Sequence, residues 1–399
     1  MLVRMKIRRI NGDERLTHAF PLQAYAFEAS PAPLEDAAKY RGYLPFQEDS
    51  VTLVAEEDGT SLAAVSAVPM RQNVRGTLHP MAGVASVAVH PLARRRGHVR
   101  TLLTRLLGDM RDGGHAVSAL YPFRPSFYER FGYVGLPKRR RVTFAPRDLA
   151  SLVRADLPGE VTWERIGTGY DAYRAFTLRL AERRHGFAVF PDSRAERLRA
   201  DDAHWVLTAR VDGEVAAAAT YRITGFGAEM EVDDLLTTTP LSRTLLLQFF
   251  ARHVDQVEKV TARVAADELP ELWATDLEVV TESRTRIPNM NAPMARVLAV
   301  APLAGTAVGP GRVVVEVVDD PFIAGTYLLD GHGGRLEVGG DASGVPRATL
   351  RAAGLSALVY GVLDPDELPL RGFGAVPADA GAELRTLFPR AVPYVFADF

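Results

Sequence analysis

Val87-Ala88-Val89-His90-Pro91-Leu92-Ala93-Arg94-Arg95-Arg96-Gly97-His98-Val99 joins two kinds of periodicity. Before it, Gly83 to Val89 is a short apolar, β-branched run of the kind that forms a buried strand. After it, Val99, Leu102, Leu103, Leu106, Leu107 and Met110 recur at i, i+3, i+4, i+7, i+8 and i+11, one apolar stripe at helical spacing. A strand therefore runs into an amphipathic helix through a loop of arginine and glycine. The first backbone N–H groups of such a helix have no partner within it, and its dipole adds partial positive charge. Gly97 has no Cβ and lets an anion approach the backbone closely. Arg94, Arg95 and Arg96 add charged donors. Positive charge at a helix N-terminus opposes the dipole, so three arginines there cost stability unless an anion is bound. The stretch reads as a cradle for a pyrophosphate. No Gly-Lys pair exists for a P-loop, and the fragments Gly331-His332-Gly333 and Gly225-Phe226-Gly227 lack the third glycine and the helix of a dinucleotide fingerprint.

The surrounding sequence alternates strand and helix signals. Ser50 to Glu56 and Ser61 to Met70 flank the turn dipeptide Asp58-Gly59. Ala116 to Leu120 is a further strand, Pro125 to Arg130 a short helix closed by Gly132, and Tyr133 leads into a strand whose solvent face carries Lys138 to Arg141. Residues 150–290 repeat this plan: a hairpin from His204 to Ile223 around Asp212-Gly213, a strand from Ala228 to Leu236, a helix from Thr244 to Val257 and a strand from Lys259 to Val264. At the second strand-to-helix junction the sequence is Thr237-Thr238-Thr239-Pro240-Leu241-Ser242-Arg243, without the arginine run or the glycine. The last hundred residues contain a strand from Val313 to Val318, glycine-rich hairpins from Gly325 to Gly344 and an aromatic tail, Pro393 to Phe399, which is apolar enough to pack.

Composition limits the classes. The chain has 399 residues, a net charge of −2 and no cysteine. The near-zero charge argues against a general nucleic-acid partner. The lack of cysteine removes disulfides and thiolate chemistry and fits a reducing cytoplasm. No apolar run reaches the length of a membrane span. Met1 to Ile10 has basic residues but no apolar signal core behind them. Nine histidines lie scattered without ligand spacing, so no metal is expected. His90 and His98 read as surface residues beside the cradle.

Val-x-Val-x-Pro-x-x-Arg-Arg-x-Gly at a strand–helix junction resembles the acetyl-CoA signature of the GNAT N-acetyltransferases, whose usual form is Gln/Arg-x-x-Gly-x-Gly/Ala. Arg94 and Gly97 match, and Val99 replaces the last small residue. Ser126-Phe127-Tyr128-Glu129-Arg130-Phe131-Gly132-Tyr133 resembles the Tyr-x-Arg-Phe-Gly-Tyr element of the Eis (enhanced intracellular survival) acetyltransferases. The resemblance implies an α/β (α+β) protein of three domains. These are a catalytic GNAT domain (1–149), a degenerate GNAT-like domain (150–292) and a domain like the sterol carrier proteins (293–399). It implies that Val87, Ala88 and Val89 hold the pantetheine arm of acetyl-CoA. Arg95, Arg96, Gly97, His98, Val99 and Arg100 hold its pyrophosphate, and Phe123 and Arg124 close over it. Tyr128 is implied as the general acid and the terminal carboxylate of Phe399 as the general base. The acceptor is a small-molecule amine or a lysine side chain, and the assembly is a homo-oligomer, a hexamer. Phe27, Glu28 and Asp398 are candidates for the acceptor site, because a polycationic amine favours acidic walls.

Each residue also has a plainer reading. Tyr128 fits a core tyrosine with a satisfied hydroxyl. Phe399 fits a side chain that pins the tail while its carboxylate stays in water. Two rival functions remain at this level. One is a carrier of lipid or another hydrophobic ligand with a vestigial GNAT region. The other is a different tandem-GNAT acyltransferase, similar to mycothiol synthase.

Overall fold

The computed structural model describes residues 5–31, 33, 35–288 and 291–399. The first four residues of the basic N-terminal stretch therefore lie outside the described part. In chain order the first elements are strand β1 (Lys6–Ile10), helices α1 (Glu14–His18), α2 (Phe20–Phe27) and α3 (Glu35–Tyr43), and strands β2 (Val51–Glu57), β3 (Thr60–Val74) and β4 (Thr77–Val89). Helix α4 (His98–Asp112), strand β5 (Val117–Leu120), helix α5 (Pro125–Glu129) and strand β6 (Val134–Gly135) follow. Antiparallel pairing links β1 to β2, β2 to β3 and β3 to β4, and β4 runs parallel to β5. The apolar stripe of α4 is buried at Leu102, Leu103, Leu106, Leu107 and Met110, as its periodicity requires, and packs with Val84 and Leu120 of the sheet.

Two compact units emerge. The first comprises residues 1–136, 185–195 and 287–399, the second residues 137–184 and 196–286. The strand expected after Tyr133 is two separate strands. β6 stays in the first sheet, whereas Arg140–Phe144 belongs to the sheet of the second unit. The physical reason is Pro137, which lacks an N–H for a continuous ladder. The place next to β5 is filled by Met294–Val297, antiparallel to both β5 and β6.

This late strand draws the last part of the chain onto the first sheet. A five-stranded sheet of 312–318, 325–330, 337–338, 347–351 and 374–375 shares one apolar core with the first sheet through the helix Ala352–Tyr360, every residue of which is buried. Arg75, at the tip of the β3–β4 hairpin, closes that helix at its C-terminus. It donates to the carbonyls of Val359 at 2.7 Å and Leu358 at 3.0 Å, and to Pro389 at 2.8 Å. Burial lowers the Arg75 pKa to about 10, and the negative end of the helix dipole offsets part of that cost. Arg296, from the late strand, is fully buried and forms two 3.0 Å bonds to Asp320 while donating to the Phe131 carbonyl. A buried cation needs such a partner set.

The second unit repeats the strand order of the first. Its sheet runs 279–282, 140–144, 257–264, 228–237, 214–223, 205–211, 160–165, with 228–237 and 257–264 parallel. The helix expected from Thr244 to Val257 spans Pro240–Ala251 instead. Proline is well placed in its first turn, and Val257 already begins the next strand.

Candidate active site

The β4–α4 junction is built around one extra residue. Opposite β3, Ala85 pairs with Ser66 and Ala88 with Ala64, so β4 carries a bulge, and Ser86 takes the left-handed φ of 54° that this needs. β5 accompanies β4 only from Met81 to Val84 and ends at Leu120. Among the described residues no strand faces Ala85 to Val89 on that side. His90 donates to the Leu62 carbonyl at 2.8 Å. Alternation along the strand turns the neighbouring amide of Val89 the other way, into the gap. Val87, Ala88 and Val89 thus border an open edge that can accept an extended, amide-bearing chain as an added strand.

The gap leads to the loop Pro91–Gly97. Arg94, Arg95 and Arg96 are exposed and precede α4 rather than opening it, and Arg100 is exposed on its first turn. Arg95 and Gly97 are left-handed, with φ of 64° and 87°. Nothing lies within 4 Å of where a Gly97 Cβ would stand, so the glycine answers a conformational need and leaves the space above it open. No side chain caps α4. The amides of His98, Val99 and Arg100 open the helix there, and Arg95, Arg96 and Arg100 have no acidic partner among the described residues. Arg94 lies over the ring of Tyr25, 5.7 Å from its centroid. His98 differs from the surface residue expected: its Nδ1 is 3.0 Å from the Met5 sulfur and its Nε2 is buried without a partner. His90 is half-buried and accepts from the Leu92 amide. These residues fit a pyrophosphate: uncapped amides, unpaired guanidinium groups and open space above a glycine. The second unit differs at the same place. There Thr239 and Ser242 form a reciprocal capping box and satisfy the helix start themselves.

Tyr128 is 2% exposed and lies in the apolar cluster of Val84 and Leu120, the residues where β4 and β5 part. Its ring packs against Phe123 at 5.4 Å, Phe127 at 5.1 Å and Tyr133 at 6.1 Å. Burial, aided by Tyr133, pushes its phenol well above the ordinary value, so it holds its proton at neutral pH. The hydroxyl has no hydrogen-bond partner among the described residues, unlike Tyr133, whose oxygen is 2.7 Å from Ser118 Oγ. A core tyrosine would satisfy that group. Phe123 is half-exposed, and Arg124 is exposed at the start of α5. Their loop is held by Asn291, which donates to the Pro122 carbonyl at 2.9 Å.

The tail packs as its composition requires. Tyr394, Val395 and Ala397 are buried, and Phe187 stacks on Phe396 at 4.5 Å. Phe399 reaches β4: a Cβ on Gly83 would lie 3.1 Å from its ring. Tyr121, one residue beyond β5, contacts that ring edge-on at 5.6 Å and donates to the Ala397 carbonyl. The two proposed proton-transfer residues thus approach the point of strand divergence, one through the α4-side cluster and one through Gly83. Asp398 is exposed. Phe27 and Glu28 are exposed at the end of α2, which packs on β3 and β4. No hydrogen bond or ring contact joins either of them to Tyr128 or Phe399 among the described residues. Sequence reading missed Gly83, Met70, Tyr121, Asn291 and Arg296. Only Gly83 carried a signal, a glycine inside a β-branched strand, which marks close approach.

Two family models match, each described as an acetyltransferase (GNAT) domain, over residues 6–135 and 182–297. Together they take in more than half of the chain, which belongs to the GNAT acetyltransferases. It is a tandem, Eis-like acetyltransferase. An N-acetyltransferase of Streptomyces coelicolor is 28% identical over 77% of this chain and 78% of its own. N-acetyltransferase Eis of Mycobacterium tuberculosis is 31% identical over 35% of each chain. The crystal structure of Eis1 from Mycobacterium abscessus shares the fold with a TM-score of 0.77 at 20% identity, over 99% of this chain and all of that one. The carrier reading gives way to an enzyme. Among the described residues no helix is long and apolar enough to cross a membrane.

Proposed function

We propose that this protein is an acetyl-CoA-dependent N-acetyltransferase that acts on primary amines, either small polyamines of the aminoglycoside kind or lysine side chains, by direct transfer. The observation that carries the reading is the open β4 edge leading to an uncapped helix beside three unpaired arginines. When bound, acetyl-CoA supplies an activated acetyl thioester. Val87, Ala88 and Val89 hold the pantetheine arm. The amides of Gly97, His98, Val99 and Arg100, with Arg95 and Arg96, hold the pyrophosphate, and Phe123 and Arg124 lie over the arm. A backbone amide of the splayed β4 stretch, turned into the gap, donates to the thioester oxygen. The terminal carboxylate of Phe399 takes the proton from the acceptor ammonium. Tyr128 donates its proton to the leaving sulfur, a role open to it because no described residue engages its hydroxyl. Phe27, Glu28 and Asp398 face the acceptor.

The wider proposal has three domains: the first GNAT domain and a sterol-carrier-like domain within the first unit, and a GNAT-like domain without a donor site. The enzyme works in the cytoplasm as a homo-oligomer, a hexamer by family resemblance. The test is a screen of aminoglycosides and lysine peptides for thiol release from acetyl-CoA, run with the enzyme and with a form carrying two extra residues after Phe399. We expect release with the enzyme and at least about 10²-fold less with the extended form. Full activity of the extended form removes the base, and no release with any amine removes the function.

A further inference from the structure

The donor channel implied by this reading has an end, and the end is built from Phe399. An arm entering from the arginine loop runs back along β4 from Val89 toward Val84, opposite the four steps from Ala63 to Ala67 of β3, about 14 Å at roughly 3.4 Å per residue. There the channel stops, because Val84 pairs with Leu120 and the two strands close. Over the closure, on the face of the sheet that carries Met70, lies an aromatic ring. Gly83 lies one residue inside it, and a Cβ there would stand 3.1 and 3.2 Å from Cδ2 and Cε2 of Phe399 and 2.7 Å from the Met70 sulfur. Tyr121, just past the end of β5, meets the same ring edge-on.

The ring is fixed from behind. The Tyr121 hydroxyl donates to the Ala397 carbonyl at 3.1 Å, the Tyr394 amide to the His185 carbonyl at 2.9 Å, and Phe396 stacks on Phe187. A ring backed by a buried tail does not swing aside without cost.

We propose that the Phe399 side chain, seated on Gly83 and Met70 and flanked by Tyr121, is the end wall of the acyl channel and restricts the donor to short acyl groups, acetyl above all. The proposal rests on the donor-site reading above. It assigns the last residue two separate duties: its main-chain carboxylate handles the acceptor proton, and its side chain measures the acyl group. Truncating the ring leaves the carboxylate in the chain, so the two are separable.

The test is direct binding of free CoA, acetyl-CoA and butyryl-CoA by calorimetry without any amine, for the unaltered protein and for Phe399→Ala, followed by turnover with both thioesters. The two added methylenes of a butyryl group against a rigid wall are together worth at least about tenfold. The unaltered protein should bind butyryl-CoA at least about tenfold more weakly than acetyl-CoA, and Phe399→Ala should narrow that ratio to about threefold or less. Turnover ratios should move the same way, whatever happens to the absolute rate. Free CoA should bind both proteins equally. If Phe399→Ala does not fold, Phe399→Leu serves, with an intermediate ratio expected. An unchanged ratio with intact CoA binding overturns the proposal, as does equal binding of the two thioesters by the unaltered protein. Failure of the unaltered protein to bind free CoA strikes the donor-site reading itself, and so is told apart.

Discussion

Removing one oxygen from Tyr128 separates a chemical role from a packing role. Tyr128→Phe keeps the ring contacts with Phe123, Phe127 and Tyr133 and deletes only a hydroxyl that bonds to no described residue. Steady-state kinetics should show kcat lowered by about 10²-fold with KM for acetyl-CoA nearly unchanged. A rise in KM alone would make Tyr128 a packing residue. At this scale the sequence was legible where chemistry is local. Gly97 and the arginines beside it identify themselves, because a left-handed turn and an anion site each demand particular residue types. Gly83 and Asn291 do not, because what they serve lies far along the chain: the ring of Phe399 and the carbonyl of Pro122.

The two strand-to-helix junctions are a natural comparison between elements. In the first, α4 begins without a cap; in the second, Thr239 and Ser242 satisfy each other and the helix start. With the Ser242 amide bonded by Thr239 and a proline without an N–H in the first turn, this helix start has fewer amides left for a phosphate than α4 has. Thr239→Ala should lower the stability of the second unit by about 1 kcal/mol in denaturant unfolding. CoA affinity should be unaffected, and a loss of it would move the donor site out of the first unit. The periodicities of β3, β4 and α4 announced these elements, although both strands extend beyond their apolar runs. Length was illegible because the outer parts of a long hairpin are stabilised by pairing, such as Gln72 with Ala188, rather than by local composition.

Several tyrosines of the first unit are sealed into the whole molecule. Burial pushes Tyr133 up to about 12, and Tyr128 and Tyr360 higher still. An unfolded tyrosine ionises near pH 10. Below that value both states hold the proton and these groups leave stability unchanged. Above it the unfolded chain releases protons that the folded chain keeps, so stability falls, by about 1.4 kcal/mol per pH unit for each such tyrosine. Thermal midpoints should drop above about pH 10, with part of the tyrosinate absorbance appearing only on unfolding. Ionisation of every tyrosine in the folded protein would contradict the burial.

The alternation of strand and helix signals, the duplicated plan and the arginine run at one junction were all decided by neighbouring residues, because turn conformations, helical stripes and helix ends are properties of short stretches. The placement of Met294–Val297 between β5 and β6, the departure of the chain at Pro137 and the arrival of Phe399 at Gly83 were decided only by the folded chain. Each joins segments that are distant in sequence. Such contacts are chosen by which exposed edge and which missing side chain can receive them, and no local pattern records that choice.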